Sequence, residues 1–257
     1  MQPTFFGKSG QQLFGVYHPP LARRAPAASA LLCHPAAQEY MRTHWAFRKL
    51  AAELARAGLH VLRFDWHGTG DSSGELTGAS VALWVSDVGT AAAELSDLSE
   101  VARPSLVGLR LGALLATLAV QKGLAVKDLV LWEPALDGAS HLRELAEIEK
   151  ARYDSLALPS RSGPEELFGY AMPAALRAEL EALDLRRVGQ LAADRIVVVA
   201  GSALPEHEAL RASLRDRAGR PPEIVVAVED VKDPTDGVML SSKAQMAIAA
   251  TVAGGAP

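Results

Sequence analysis

The chain has one cysteine, Cys33, in 257 residues. That excludes an internal disulfide framework and fits a reducing compartment. It also lacks an apolar run of the roughly 18 residues that a spanning helix needs. It shows no block of basic residues, and its formal net charge is −4 with both signs interspersed. A nucleic-acid surface or a polybasic membrane arm is therefore not expected. The start, "MQPTFFGKSGQQ", lacks a basic segment followed by an apolar one, so no signal peptide is expected and the location expected is cytoplasmic. No His/Cys/Asp/Glu spacing matches a metal site, and no glycine-rich loop ends in a phosphate-binding lysine, so no cofactor is expected. The partner left to expect is a small molecule or peptide.

What is present is a core-forming chain, 49% hydrophobic, of a length that suits one large domain with an insertion. Short apolar runs alternate with helical periodicity. "LFGVYHP", "ASALLCHP", "HVLRFDW", "SLVGL", "KDLVLWEP", "RIVVVAGS" and "EIVVAVED" read as strands. Helices are expected over 44–58, 79–98 and 111–123, in "PEHEALRASLRDRAG" and within "SSKAQMAIAATVA". This order predicts an α/β fold with a mostly parallel, doubly wound sheet covered on both faces. The rhythm breaks over 135–191, which is helical and charged. The expected organisation is a core of 1–134 and 192–257, with 135–191 inserted as a helical cap.

Three stretches carry chemistry. In "SLVGLRLGALLA", Gly108 and Gly112 flank Arg110 between a buried strand and an Ala/Leu-rich helix. That is the frame of a nucleophile elbow, where small flanking residues let the turn close tightly. "FDWHGTGDSSG" is a glycine-rich loop after a strand; turn chemistry explains it, with His67 and Asp71 as pocket-edge candidates. "CHPAAQEY" follows the earlier strand. There the Ala36 amide, with that of Leu111, is positioned to hold an oxyanion, since Pro35 has no N–H to donate.

Together these stretches resemble the α/β-hydrolase superfamily over nearly the whole chain. "CHPAAQEYMRTHWAFRKLA", "LRFDWHGTGDSSGE", "GLRLGALLA" and "LVLWEPALDGASHL" are similar to the exosortase A system-associated hydrolases, especially the second type. The resemblance implies a bacterial, cytoplasmic protein of the serine-aminopeptidase-like branch, near pathways for exopolysaccharide or another secondary product.

Against that pattern, the nucleophile position holds Arg110, the acid position holds Leu204 with Glu206 and His207 nearby, and no histidine follows His207. Arginine stays protonated and presents only donors, so Ser-His-Asp chemistry is not expected. Arg110 is read as an ion pair with Glu133, at the end of the adjacent strand, as an anchor for an anionic substrate, or as both. Base candidates are His34, His207 and Asp230; Arg110, Leu111, Ala36, Glu133 and His67 are the candidate substrate contacts. The leading functional expectation is a non-standard enzyme acting on a carbonyl or acyl compound, of isomerase, epimerase, cyclase or lyase type. A catalytically dead binding protein is the alternative. The third is a hydrolase or acyltransferase whose nucleophile has moved, to Cys33 or Ser72.

Overall fold

The structure is a computed structural model and describes residues 1–21, 28–158, 163, 165–228 and 242–254. Its centre is an eight-stranded sheet. A hairpin of β1 (Gln2–Phe6) and β2 (Leu13–His18) opens the chain. Then come β3 (Ser29–Cys33), α1 (Ala37–Arg56), β4 (His60–Phe64), α2 (Val81–Ser99), β5 (Ser105–Leu109), α3 (Leu111–Gln121) and β6 (Val126–Trp132). Between β6 and the next sheet strand lie α4 (Gly138–Ser155), a small hairpin of β7 (Glu166–Leu167) and β8 (Tyr170–Ala171), and α5 (Ala174–Glu181). The described chain closes with β9 (Ala193–Ala200), α6 (Pro205–Ser213), β10 (Glu223–Val226) and α7 (Ser242–Val252).

The strand order is β1-β2-β4-β3-β5-β6-β9-β10. Only the pairs β1–β2 and β2–β4 are antiparallel; from β4 to β10 every pair is parallel. Parallel strands need helical crossovers, which cover both faces, so the central strands are apolar in both directions. The alternation splits them cleanly. Leu31, Leu62, Leu106, Leu129 and Val198 face α2 and α3. Leu32, Val61, Val107, Val130 and Val199 face α1 and α7. No helix among the described residues is long and apolar enough to cross a membrane.

β1 was not anticipated. "QPTFF" is short, contains a proline and is mostly exposed, so neither periodicity nor a buried apolar run marks it. It is an edge strand, where proline is tolerated.

One buried charge on α2 gives a pH signature. Asp87 is 5% exposed, and its Oδ2 accepts the His67 N–H at 2.8 Å. Burial pushes its carboxyl up to about 6, against the His67 hydrogen bond, which acts the other way. The folded state therefore holds this proton more tightly than the unfolded chain, so stability falls as pH rises from the ordinary carboxylate range through about 6. Asp87→Asn keeps an acceptor for the His67 amide and removes the desolvated charge. It is expected to raise unfolding stability near neutral pH by about 2 kcal/mol. The gain should vanish in acid, as followed by urea denaturation across that range; parallel curves for variant and wild type would refute it.

Candidate functional site

The site is built on the turn between β5 and α3. Arg110 sits there at φ 53° and ψ −119°, outside the regions that non-glycine residues favour. Such strain costs about 1–3 kcal/mol and persists only where the surroundings enforce it. The enforcement is visible on both sides. A Cβ at Gly108 would lie 2.5 Å from the Ala113 Cα, and one at Gly112 would lie 2.3 Å from the carbonyl oxygens of Cys33 and His34. The start of α3 is thus pressed against the ends of β5 and β3, and only glycine permits it. The Arg110 N–H donates to the Trp132 carbonyl, tying the turn to β6.

The guanidinium meets three side chains. Nε donates to Glu39 Oε1 at 3.0 Å. Nη2 donates to Glu144 Oε2 and lies 3.4 Å from His141 Nδ1. His141 Nε2 in turn lies 3.3 Å from Glu39 Oε2. That approach is too poorly aligned to count as a hydrogen bond, and Oε2 has no other partner among the described residues. Glu39 comes from the first turn of α1. His141 and Glu144 come from α4, three residues apart and so on one helix face. Nε2 thus faces the carboxylate and Nδ1 the guanidinium. Burial pushes the Glu39 carboxyl up, but His141 and Arg110 outweigh it and hold the group below its ordinary value. Burial alone would lower Arg110; Glu39 and Glu144 reverse that and raise it.

The expected Arg110–Glu133 pair is corrected here. Glu133 has φ 39°, and this turn directs its Oε1 to the Gly201 N–H at 2.5 Å. Arg110 is paired with Glu39 and Glu144 instead.

Two spaces adjoin the cluster. One is a polar cleft of about 270 Å³ whose walls include Arg110, Asp137, His141, Glu144, Arg186 and Glu206. The other is an apolar cavity of about 20 Å³ lined by Ala36, Leu111, Trp84, His141, Leu145 and Met172 among others. The second holds little more than one water. Neither the Ala36 nor the Leu111 amide makes a backbone hydrogen bond among the described residues. His141 is the one side chain of the cluster that borders both spaces. In the cleft, Arg186 is held by both oxygens of Asp184 and by Asp137. Both guanidiniums are therefore already matched by carboxylates.

The other expected residues lie elsewhere. His34 is 1% exposed, stacked on Phe47 at 4.1 Å between ring centroids. Burial, with the charge of Arg63, pushes its imidazole well down, so it sits in the core and not at the mouth of a pocket. The His207 ring accepts the Leu204 N–H at 3.3 Å and caps α6, while its neighbour Glu206 reaches the cleft. The His67 ring packs beneath Gly74, where a Cβ would meet it at 2.1 Å. Asp71 donates its N–H to Asp65 within the same loop. Ser72 Oγ donates to the Asp65 carbonyl and accepts from the Phe14 N–H, a role that ties loop to strand. Cys33 is fully buried, and burial drives its thiol up. A buried thiol kept protonated is no nucleophile. Asp230, with Asp233 and Asp236, lies outside the described residues. Sequence reasoning missed Glu39, His141 and Glu144. Glu39 stood in the quoted "CHPAAQEY" stretch and His141 in the quoted "LVLWEPALDGASHL"; Glu144 carried no signal beyond helical spacing.

A family model described as serine aminopeptidase, S33, matches residues 25–200. No curated protein matches the chain. Among solved structures, Est1E from Butyrivibrio proteoclasticus with ferulic acid bound aligns at TM-score 0.64 and 15% identity, over 98% of this chain and 96% of that one. The esterase domain of a Rhodothermus marinus protein aligns at 0.65 and 17%, over 98% and 97%. The bottromycin epimerase BotH, in complex with bottromycin A2, aligns at 0.60 and 20%, over 99% of each chain. At these identities the likeness carries the fold alone.

Proposed function

This chain belongs to the serine aminopeptidase S33 family and has the α/β-hydrolase fold, and from that premise we propose that it moves protons instead of forming an acyl-enzyme. The observation that carries this is the line Glu39–His141–Arg110: an imidazole flanked by a buried carboxylate, facing the elbow, bordering a 270 Å³ cleft. A hydrolase would have a hydroxyl or thiol at the third position. With a guanidinium there, no covalent ester forms, but the imidazole keeps a carboxylate neighbour and an Nδ1 lone pair met only by the long Arg110 contact.

His141 is the general base in this reading. Its Nδ1 takes the proton from the carbon next to a carbonyl. Arg110, which borders the same cleft, stabilises the enolate oxygen. Delivery of a solvent proton to the opposite face of that carbon gives epimerisation, with the abstracted proton passing from His141 to solvent; return of the proton to the neighbouring atom gives isomerisation. The 3.4 Å contact between Nδ1 and Nη2 is long for a hydrogen bond, so a substrate displaces it at small cost. Glu39 orients the ring and stabilises the imidazolium. That a similarly folded structure is a bottromycin epimerase supports the view that the scaffold is not confined to hydrolysis. Residues 135–191 act as the cap, since α4 brings His141 and Glu144 to the elbow. The cleft favours a neutral or amine-bearing carbonyl compound or peptide over an anion. Carboxylates there outnumber guanidiniums, and both guanidiniums are matched. The resemblance to exosortase A system-associated hydrolases supports a substrate from a bacterial biosynthetic pathway.

The test is solvent-proton exchange. The protein is incubated in D2O with a bacterial extract of peptides and small metabolites, and deuterium uptake is read by mass spectrometry. Wild type should label a discrete compound. His141→Gln should lose at least about 100-fold of that rate, the scale of general-base catalysis. If wild type labels nothing, the proton-transfer reading fails, and the nearly filled 20 Å³ interior favours a pseudo-hydrolase that binds a partner protein.

Arg110→Ser is expected to stay at background on nitrophenyl esters and towards fluorophosphonate probes. His141 is placed against the far end of a guanidinium, several bonds beyond where a serine Oγ would sit. Substantial turnover by this variant would show that the imidazole reaches further.

A further inference from the structure

On the α1 side of the sheet, away from the cleft, a second group of cations carries donors that no described residue fills. Arg63 is on β4, in register with Val16 of β2, and is 7% exposed. Its Nε donates to His18 Nε2 at 3.3 Å. Its two terminal nitrogens make no hydrogen bond, and it forms no ion pair with any described carboxylate. Around it stand Arg48 and His44 of α1, four residues apart on one helix face, and His18 at the end of β2. Arg48 is exposed and stacks over Trp45 at 5.0 Å, without an ion-pair partner among the described residues. Asp65 acts on Arg63 at a distance without a direct ion pair, its oxygens accepting from the Tyr40 hydroxyl at 2.7 Å and the Asp71 N–H at 3.1 Å. A second orphan lies alongside: the Nδ1 of the buried His34 has no partner.

A buried guanidinium without an anion is costly, and proteins ordinarily pair it. Three histidines register the excess charge. Burial, then Arg63, lowers His18, His34 and His44 alike, and His18 falls to about 4. We propose that Arg63, with Arg48, His44 and His18, forms a binding site for an oxyanion, the phosphoryl or carboxylate group of a small ligand, where α1 packs against β2 and β4. Arg63 offers two free N–H2 groups in one plane, the geometry that grips two oxygens of such a group. None of these residues borders the cleft, so the site is independent of the proton-transfer reading.

The experiment titrates the full chain with inorganic phosphate and, separately, with acetate, at constant ionic strength set with chloride. Binding is read by calorimetry and by the NMR titration of the His18 ring. One of the two anions should bind saturably and raise the His18 titration above about 4, because it neutralises Arg63. Saturation by phosphate alone assigns a phosphoryl ligand; by acetate alone, a carboxylate. Arg63→Gln should weaken binding at least about tenfold, the loss of one charge-assisted pair. The exposed Arg48→Gln guards against misfolding of the first variant and should weaken it about threefold by the same reasoning. No saturable binding of either anion, or undiminished binding in both variants, overturns the proposal.

Discussion

Arg110→Met lowers the unfolding free energy near neutral pH by about 3–5 kcal/mol, the range for breaking a buried ion pair from one side. Glu39 is 3% exposed. In the wild type, Arg110 Nε satisfies one of its oxygens and His141 lies against the other. Methionine fills similar volume but leaves that carboxylate with the imidazole alone. The pH dependence has a definite sign. The Glu39 carboxyl is held below its ordinary value in the wild type, so its stabilising contribution is present above the unfolded pKa and is lost as pH falls through the folded one. In the variant the Arg110 share of that contribution is gone and only the His141 share remains, so the deficit is largest at neutral pH and narrows in acid, where Glu39 is protonated in both folded proteins. Adding Glu39→Gln to Arg110→Met should recover much of the loss, and a double-mutant cycle would read the coupling. Equal stability of Arg110→Met and wild type at neutral pH would show that the pair is not the keystone of the elbow. Glu144, being half-exposed, should contribute far less to stability.

Gly112→Ala is expected to be as severe for a different reason. The added methyl would lie 2.3 Å from two backbone oxygens, those of Cys33 and His34. No rotamer change relieves a clash with backbone, so α3 must lift from β3 and open the turn that carries Arg110. A loss of about 3 kcal/mol or more is expected, with a lowered thermal midpoint or insoluble expression. Gly89→Ala is the control. It lies within α2, and its Cβ would meet nothing within 4 Å. It should stabilise by about 0.5–1 kcal/mol through helix propensity. If both variants behave alike, close packing is not what the elbow glycine provides.

The elbow was legible because its requirements are local. Two glycines at fixed offsets, a buried strand before and an Ala/Leu-rich helix after specify a tight turn whatever lies around it. The partner of Arg110 was not legible. Adjacency in the sheet pointed to Glu133, since β6 pairs with β5. A single turn at φ 39° sends that side chain to Gly201, and nothing in "LWEP" announces it. His34 looked like a pocket residue because it follows a strand, yet its ring turned inward onto Phe47. His141 looked like one polar residue on a charged helix and became the centre of the cluster.

The sequence by itself determined the alternation of strands and helices and the sharp turn with an arginine at its centre, because each depends on residues a few positions apart. Only the tertiary structure decided which acids meet the guanidinium and which histidine stands beside it. Glu39, His141 and Glu144 are 71, 31 and 34 residues from Arg110. Meetings over such separations depend on how α1 and α4 pack over the sheet, and periodicity along the chain carries no information about that.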